Sequence, residues 1–384
     1  MEKTGIKPNP EDAPIKGVSS KTNLSDTSVD VSFDQRKKDH LSISLDQKVQ
    51  AKNLRDLDKI ELLHEALPDL DLETVQTNSD FFGKTTRVPF FISSMTAGHK
   101  DGESLNRTLA RAAQKRGWAM GVGSQRKQLF DAAAAEEWQR LRDENPEVIL
   151  FGNIGIAQLI RSPMDQILRL AEEIKASGFY VHLNALQEAL QEEGTPQFAG
   201  GMKALKEFVQ LSSAPVIVKE TGCGMSKATL EKLFQLGIQA VDVAGAGGTH
   251  WGRVEGQRSK RSLLQEVSET FKNWGIGTLK SVENALEVRS EMQLNSKNLK
   301  SSEIGVWASG GIRNGLDAAA ILAFGADRVG FAQSVLEAAV LGEEELLHWM
   351  SRTEVELQIA LFCTGCCDID ALKTKKVWQW KSHQ

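Results

Sequence analysis

Residues 305–334 have the sequence GVWASGGIRNGLDAAAILAFGADRVGFAQS, which contains the clearest structural pattern in the chain. Two short apolar runs, 305–309 and 327–331, predict strands that end in glycine-bearing turns. The segment between them opens a helix directly after the first turn. A strand, a helix and a second strand in this order predict one crossover unit of a parallel sheet.

The same alternation continues outward from this unit through most of the chain. Predicted strands cover 89–95, 118–122, 148–154, 179–184, 215–219, 240–244, 305–309 and 327–331. Amphipathic stretches lie between most of them. Eight near-regular units favour an α/β fold of the (β/α)8 TIM-barrel class, because closure leaves no open sheet edge. An open, doubly wound sheet is the alternative.

The remaining segments flank or interrupt this single predicted domain, which covers 34–384. Residues 1–33 predict a flexible, disordered N-terminal tail, because they contain almost no large apolar side chains. After the sixth strand comes an insertion, 252–303, which is polar and basic before a predicted helix near 282–292. The insertion is either a lid over the site or a disordered loop. Residues 343–384 predict a C-terminal helix, packed on the outside, and a tail.

Composition excludes several classes of protein. The 384 residues include 46 basic and 51 acidic side chains, and the formal net charge is −5, so no broad basic field predicts a nucleic-acid partner. No apolar run approaches the roughly 18 to 20 residues that span a bilayer. We therefore expect a cytoplasmic protein with no membrane partner. Three of the four cysteines crowd at Cys363, Cys366 and Cys367, and we expect reduced thiols.

The carboxyl ends of the strands, where this class of barrel places its chemistry, carry glycine and polar residues. The seventh strand ends in Ser309, two glycines and Arg313, and a helix follows. Glycine N–H groups, a helix N-terminus and a guanidinium predict a site for a phosphate monoester. The fifth strand delivers Lys219, a cation suited to an anionic ring or phosphate. Together these features predict FMN.

The fourth strand carries a polar group at the same end of the barrel. Tyr180, His182 and Asn184 alternate onto the inward face, and Gln187 and Glu188 follow. Such a group is not typical of a core. Glu188 is a candidate ligand for Mg²⁺, which commonly takes one or two carboxylates together with phosphate and water. A purely structural histidine is the alternative for His182 considered alone.

Eight short motifs occur in order along the chain. They are Arg-Lys-Lys-Asp-His at 36–40, Ser-Ser-Met-Thr-Ala-Gly at 93–98, Gly-Ser-Gln-Arg at 123–126, Gly-Asn-Ile-Gly at 152–155, His-Leu-Asn-Ala-Leu-Gln-Glu at 182–188, Val-Lys-Glu at 218–220, Gly-Gly-Thr-His-Trp at 247–251 and Gly-Gly-Ile-Arg-Asn-Gly at 310–315. In this order they resemble the type 2 isopentenyl-diphosphate isomerases, which are FMN-dependent (β/α)8 enzymes of isoprenoid biosynthesis. The resemblance extends from residue 36 to about residue 366.

The resemblance implies a 1,3-allylic double-bond shift that converts isopentenyl diphosphate to dimethylallyl diphosphate. It implies reduced FMN as acid–base cofactor, Mg²⁺ on the diphosphate, NADPH as the reductant of FMN, and a homo-oligomer, either a tetramer or an octamer. The implied FMN contacts are Met95, Thr96, Ala97, Ser124, Asn153, Lys219, Thr249, Gly311, Ile312, Arg313, Ala332 and Gln333. The implied substrate contacts are Arg36, Lys37, Ser124, Gln125, Arg126 and Gln187. His182, Asn184 and Gln187 are the implied catalytic groups, as relays or positioning groups, and Glu188 is the implied metal ligand.

The sequence departs from the family pattern at four positions. The family usually has glycine at Ala97, proline at Ala185, and serine at Ala244 and His250. Two rival functions remain. An FMN-dependent 2-hydroxy-acid oxidoreductase of the same barrel type would need a His-Gly-x-Arg-Gln segment after the sixth strand, where this chain has Thr249 followed by His-Trp-Gly-Arg. A non-catalytic flavin- or phosphate-binding barrel would not need the polar group of the fourth strand.

Overall fold

Parallel strands close into a barrel in the order in which they occur in the chain. The strands described are β1 (Ile60–Leu62), β2 (Ser79–Phe81), β3 (Lys84–Thr86), β4 (Phe90–Ile92), β5 (Ala119–Gly121), β6 (Ile149–Gly155), β7 (Gly178–Leu183), β8 (Val216–Glu220), β9 (Ala240–Asp242), β10 (Gly305–Ala308), β11 (Arg328–Phe331) and β12 (Trp378–Trp380). β4 to β11 form the barrel, and β11 closes it against β4, with Val329 opposite Phe90. The computed structural model describes residues 27–95, 100–295 and 304–382. The predicted TIM barrel is confirmed, and each predicted strand overlaps an observed one.

Helices surround the barrel. They are α1 (Thr27–Ser44), α2 (Lys100–Arg116), α3 (Ala132–Glu144), α4 (Ile156–Arg161), α5 (Met164–Glu173), α6 (Ala185–Leu190), α7 (Gly201–Leu211), α8 (Lys227–Phe234), α9 (Trp251–Arg258), α10 (Ser262–Thr270), α11 (Thr278–Asn295), α12 (Gly315–Phe324), α13 (Gln333–Leu341), α14 (Glu343–Cys363) and α15 (Ile369–Thr374). Their apolar stripes pack on the strands; on α5 the buried stripe is Ile167, Leu170 and Ala171. Among the described residues, no helix is both long enough and apolar enough to span a membrane.

An aromatic plug fills the amino-terminal end of the barrel. The β2–β3 hairpin turns at Phe82 and Gly83, whose φ angles are 53° and 82°. The turn places Phe81 in the barrel, with its ring centroid 5.3 Å from Trp307 and 5.9 Å from Phe151. Large rings therefore close the amino-terminal end of the barrel, and the opposite end, with the glycine loops of the strand ends, is left open for a site.

The end of the predicted tail and the insertion are both more ordered than expected. α1 begins at Thr27, inside the segment predicted as tail, while residues 1–26 lie outside the described residues. The described part of the insertion, 252–295, is helical and not a disordered loop. α11 includes the predicted helix and packs on α8 and β10 as an ordinary barrel helix. α9 and α10 are therefore the extra elements, and α9 packs on α1 and α6 at the mouth of the barrel.

The C-terminal segment belongs to the folded body. α14 packs on α2, α12 and α13, as expected for a helix on the outside. The residues predicted as a tail instead form α15 and β12, and β12 pairs antiparallel with β1, with Trp380 opposite Ile60. The cysteines of this segment are free.

Candidate functional site

Two adjoining cavities open at the carboxyl ends of the strands. The glycine cavity contains about 810 Å³ of empty space between the loops that follow β8, β9, β10 and β11. The polar cavity contains about 1220 Å³, including its open mouth, and reaches α1, α6 and the loop after β5. The wall that they share consists of Ser94, Lys219, Thr221, Thr249, Ala332 and Gln333. One elongated ligand, or two ligands in contact, would fit this arrangement.

Most residues predicted from the sequence meet in these cavities. Those that line them are Arg36, Lys37, Met95, Ser124, Arg126, Asn153, His182, Asn184, Gln187, Glu188, Lys219, Thr249, Gly311, Ile312, Arg313, Ala332 and Gln333. Thr96 and Ala97 lie outside the described residues. Gln125 is the one described residue of the predicted set that lines neither cavity.

The glycine cavity has the geometry of a phosphate cradle. Gly310 and Gly311 adopt φ angles of 96° and 74°, which favour glycine. A Cβ atom on Gly311 would lie 2.8 Å from the carbonyl carbon of Gly247, so the loops after β9 and β10 approach each other too closely for a side chain. The half-exposed guanidinium of Arg313 stands beside the N-terminus of α12, which Asn314 caps. Backbone N–H groups, a helix N-terminus and a cation suit a phosphate.

Sequence reasoning missed Arg55, which lines the same cradle from the segment before β1. Its Nε donates to the carbonyl of Gly311 at 2.8 Å, and its Nη2 lies 2.6 Å from Asp317. Asp317 also accepts the backbone N–H of Arg313 at 3.0 Å. The segment before β1 is thus fastened to the glycine loop. In the sequence, Arg55 is a lone arginine in a stretch without regular periodicity, so no pattern indicated its role.

The shared wall contains polar atoms that fit a flavin. The hydroxyls of Ser93 and Ser94, at the end of β4, are buried and have no hydrogen-bond partner among the described residues. Lys219 Nζ lies 2.9 Å from Asp242 Oδ2 and 3.3 Å from Ser309 Oγ. Unpaired hydroxyls beside an ammonium are the donors that the heteroatoms of a flavin ring need. These observations support FMN at this wall.

His182 is held as a neutral ring with a defined tautomer. Burial, and the charges of Lys37 and Lys219, lower the pKa of His182 to about 3. Its Nδ1 lies 2.9 Å from Asn153 Oδ1, while Asn153 Nδ2 donates to the carbonyl of Val122 at 3.1 Å. The Asn153 oxygen therefore accepts Nδ1–H, and Nε2 of His182 is left as a hydrogen-bond acceptor at the cavity wall.

Gln125 supports this arrangement, and its predicted contact with the substrate stays a prediction. Its side chain is 1% exposed and donates to the carbonyl of Leu170 at 3.0 Å. Its Oε1 accepts the backbone N–H of Asn153 at 2.9 Å. Gln125 therefore holds Asn153, which in turn orients His182.

A cluster of three cationic side chains lines the polar cavity, which also contains the carboxylate of Glu188. Burial, followed by the charge of Arg126, lowers the pKa of Arg36, and burial also lowers the pKa of Arg126. Burial together with Arg36 and Arg126 lowers the pKa of Lys37 to about 7. Three cations that disfavour one another's charge form a site that an anion would stabilise.

Glu188 faces these cations from α6. Its Oε1 accepts from Asn184 Nδ2 at 3.0 Å and its Oε2 from the backbone N–H of Thr195 at 2.5 Å. Within 27–95, 100–295 and 304–382, no group of three or more His, Cys, Asp and Glu side chains could hold a metal ion. A lone carboxylate fits Mg²⁺ only where phosphate oxygens and water complete the coordination.

Glu255 of α9 is a buried carboxylate behind the wall of this cavity, where it contacts two lining residues, and sequence reasoning missed it. It accepts from His40 Nε2 at 2.8 Å, Gln187 Nε2 at 3.1 Å and Arg258 Nε at 2.9 Å. Burial alone would raise the pKa of Glu255, but these hydrogen bonds and the charge of Arg258 outweigh it and lower the pKa to about 2. The insertion thus supplies an ionised hub that joins α1 to α6 over the cavity.

His250, the largest departure from the family pattern, lies behind the site. It is fully buried, its Nε2 donates to the carbonyl of Trp274 at 2.9 Å, and its Nδ1 accepts the backbone N–H of Arg253 at 3.2 Å. It lines neither cavity and caps α9. Its role in the described structure is to anchor the insertion.

The chain is similar in sequence to known proteins. A model of the FMN-dependent dehydrogenase family matches residues 39–148 and 139–379. The chain is 49% identical over 352 residues to an isopentenyl-diphosphate delta-isomerase of Bdellovibrio bacteriovorus, and the match covers 90% of this chain and 98% of the relative. The enzyme of the same name from Legionella pneumophila strain Lens is 47% identical over 344 residues, covering 89% and 97%. That of Xanthobacter autotrophicus is 40% identical over 341 residues, covering 88% and 96%.

Solved structures share the fold at much lower identity. A flavocytochrome b2 mutant aligns with a TM-score of 0.66 at 15% identity, over 90% of this chain and 82% of that one. A mandelate oxidase mutant with an FMN adduct aligns with a TM-score of 0.60 at 17% identity, over 88% and 93%. Identities this low support the shared fold and nothing further about chemistry.

Proposed function

This chain belongs to the FMN-dependent dehydrogenase family and, within it, to the isopentenyl-diphosphate delta-isomerases, and on that premise we propose how its two cavities work. FMN binds with its phosphate in the glycine cavity and its ring at the shared wall. Isopentenyl diphosphate binds in the polar cavity and leaves as dimethylallyl diphosphate. Glu188 would hold Mg²⁺, which would neutralise charge on the diphosphate.

One observation carries this proposal: the phosphate cradle and the cation cluster lie in two adjoining cavities that share a wall. Arg313 and the glycine loops line one cavity, and Arg36, Lys37 and Arg126 line the other. Two separate phosphate-bearing ligands therefore bind with their remaining parts in contact near Lys219. Leu41, Met95 and Leu336 supply apolar surface along the polar cavity for a hydrocarbon group.

The reaction adds a proton at one end of the allylic unit and removes one at the other, with no net redox change. Bound reduced FMN supplies a proton donor and acceptor at its ring nitrogens. The chain's own residues position the alkene and stabilise charge. Arg36, Lys37 and Arg126 hold the diphosphate. Neutral His182 accepts a hydrogen bond through Nε2, and Gln187, bound to Glu255, acts as a positioning group.

The family resemblance supports further expectations about the protein as a whole. We expect NADPH to reduce the flavin, the chain to assemble as a tetramer or octamer, and the enzyme to act in the cytoplasm. Each of these remains a prediction.

The rival 2-hydroxy-acid chemistry needs a histidine base, and the described part of the chain does not provide one in the required place. In that reading a histidine after the sixth strand would face the substrate, but His250 is fully buried and both of its ring nitrogens are engaged by backbone groups.

The test is an anaerobic assay of the purified protein with isopentenyl diphosphate and Mg²⁺, with FMN either reduced or oxidised. We expect isomerisation only with reduced FMN, and the Gln187→Leu variant should lose most turnover while it still binds FMN. A colourless protein that cannot take up FMN, or equal activity with oxidised FMN, would contradict the proposal.

A further inference from the structure

A buried charge pair lies at the wall that the two cavities share. The carboxylate of Asp242 is fully buried, and its Oδ2 lies 2.9 Å from Lys219 Nζ. Resting on the proposed function, we propose that Asp242 is a positioning residue for Lys219. It fixes the direction of the ammonium and limits how much positive charge reaches the bound flavin.

Three neighbouring strands build the pair. Lys219 at the end of β8 stands directly opposite Asp242 of β9 in the sheet register. Ser309, which follows β10, donates to Asp242 Oδ1 at 2.7 Å and accepts from Lys219 Nζ at 3.3 Å. The backbone N–H of Ala244 also lies 3.3 Å from Asp242 Oδ1. The carboxylate is therefore immobilised by the sheet and by two hydrogen bonds besides its ion pair.

This arrangement restricts the direction of Lys219. Its Nζ donates to Ser309 Oγ at 3.3 Å and lies 2.9 Å from Asp242 Oδ2. Because Lys219 also lines both cavities, its ammonium can still donate to a ligand at the shared wall. A long side chain that would otherwise sample several rotamers is thereby held in one position before any ligand binds.

The pair also changes the electrostatics of the wall. A lone lysine would present a full positive charge, whereas a lysine in contact with a buried carboxylate presents a dipole. A buried ion pair is weak evidence for stability, because desolvation offsets much of the attraction. Because the pair lies at the shared wall, we infer that its function is to set the charge beside the flavin.

The experiment measures the midpoint potential of FMN in the Asp242→Asn holoenzyme. Asparagine keeps an oxygen for Lys219 but removes the opposing charge, so the anionic reduced flavin is stabilised and the potential should become more positive. An over-stabilised reduced flavin is a weaker base. We therefore expect kcat to fall by roughly tenfold. KM should not change, because the diphosphate cations lie on other elements.

Asp327→Asn is the matched control. Asp327 is also a mostly buried carboxylate, paired with Arg289 at 2.7 Å and Lys373 at 2.5 Å, but it directly precedes β11 at the amino-terminal end of the barrel. Its replacement should reduce stability and leave both the potential and kcat unchanged. A potential that shifts equally in both variants would contradict a specific role for Asp242.

An Asp242→Asn enzyme that binds FMN with the wild-type potential and kcat would overturn the proposal. If that variant does not fold, Ser309→Ala releases one hydrogen bond of the carboxylate and keeps its charge. It should lower kcat at constant KM and shift the potential, and wild-type values of both would overturn the proposal equally. Failure of the wild-type chain to bind FMN would contradict the proposed function instead.

Discussion

The buried cation at Lys37 makes anion binding depend on pH. Its pKa is lowered to about 7 by burial, Arg36 and Arg126, so the free protein holds a neutral amine above that pH. A bound diphosphate restores the proton, and binding above pH 7 therefore takes up a proton. We expect affinity for inorganic pyrophosphate to fall as pH rises above 7, by at most about tenfold per unit. Calorimetry in buffers of different ionisation enthalpy measures the uptake.

Two variants isolate Lys37 from the ionisation of pyrophosphate itself. Lys37→Arg should remove the extra proton uptake, because a guanidinium stays charged. Lys38→Ala, at the exposed neighbouring position, should retain it. Identical uptake in the wild-type and Lys37→Arg proteins would contradict this account.

The direction and the partners of some side chains in the site could not be predicted from the sequence. Gln125 and Arg126 are consecutive in one motif, but in the turn Gln125–Leu129 one side chain enters the core and the other lines the cavity. A short motif does not by itself predict that these residues form a 3₁₀ helix, or which of its side chains face the core. Asp242 was visible as an acid within a predicted buried strand, but its partner Ser309 is far away in sequence. Only the register of the sheet brings them together.

At the scale of elements, α9 holds α1 over the polar cavity through Glu255. Glu255→Gln should loosen α1, because the ionised hub that binds His40 and Arg258 becomes neutral. We expect faster hydrogen exchange in α1 and a decrease of about 1–3 kcal/mol in the free energy of unfolding. The pKa of Glu255 is lowered to about 2, so its contribution is present above its ordinary pKa and is lost as pH falls towards 2. The variant and the wild type should therefore converge in acid.

Glu269→Gln is the control on the neighbouring helix α10. The exposed carboxylate of Glu269 pairs with Lys272, so its replacement should leave exchange in α1 unchanged. Unchanged exchange in the Glu255→Gln protein would show that α1 is held by other contacts.

Periodicity predicted the barrel elements but not this strap of α9 and α10. Strands and helices follow from local patterns of apolar residues, which the sequence displays directly. The strap is held by long-range polar contacts, such as the one between His40 and Glu255, which are 215 residues apart. Polar composition alone left a lid and a disordered loop equally possible for 252–303.

In the whole molecule, the two ends of the barrel have different functions: the aromatic plug supports stability at one end, and the cavities lie at the other. Substitution of a plug residue tests this division. Phe81 is 1% exposed and contacts Phe91, Phe151 and Trp307 at the end opposite the cavities. Phe81→Ala removes these contacts, and we expect unfolding in urea to need about 3–5 kcal/mol less free energy. FMN affinity and KM, measured where the variant is fully folded, should stay within about twofold of wild type, because bottom-face residues of this barrel support stability. Leu67→Ala, at an 80% exposed position, should change neither quantity. A folded Phe81→Ala protein that binds FMN poorly would mean that plug packing reaches through the barrel to set the shape of the opposite wall.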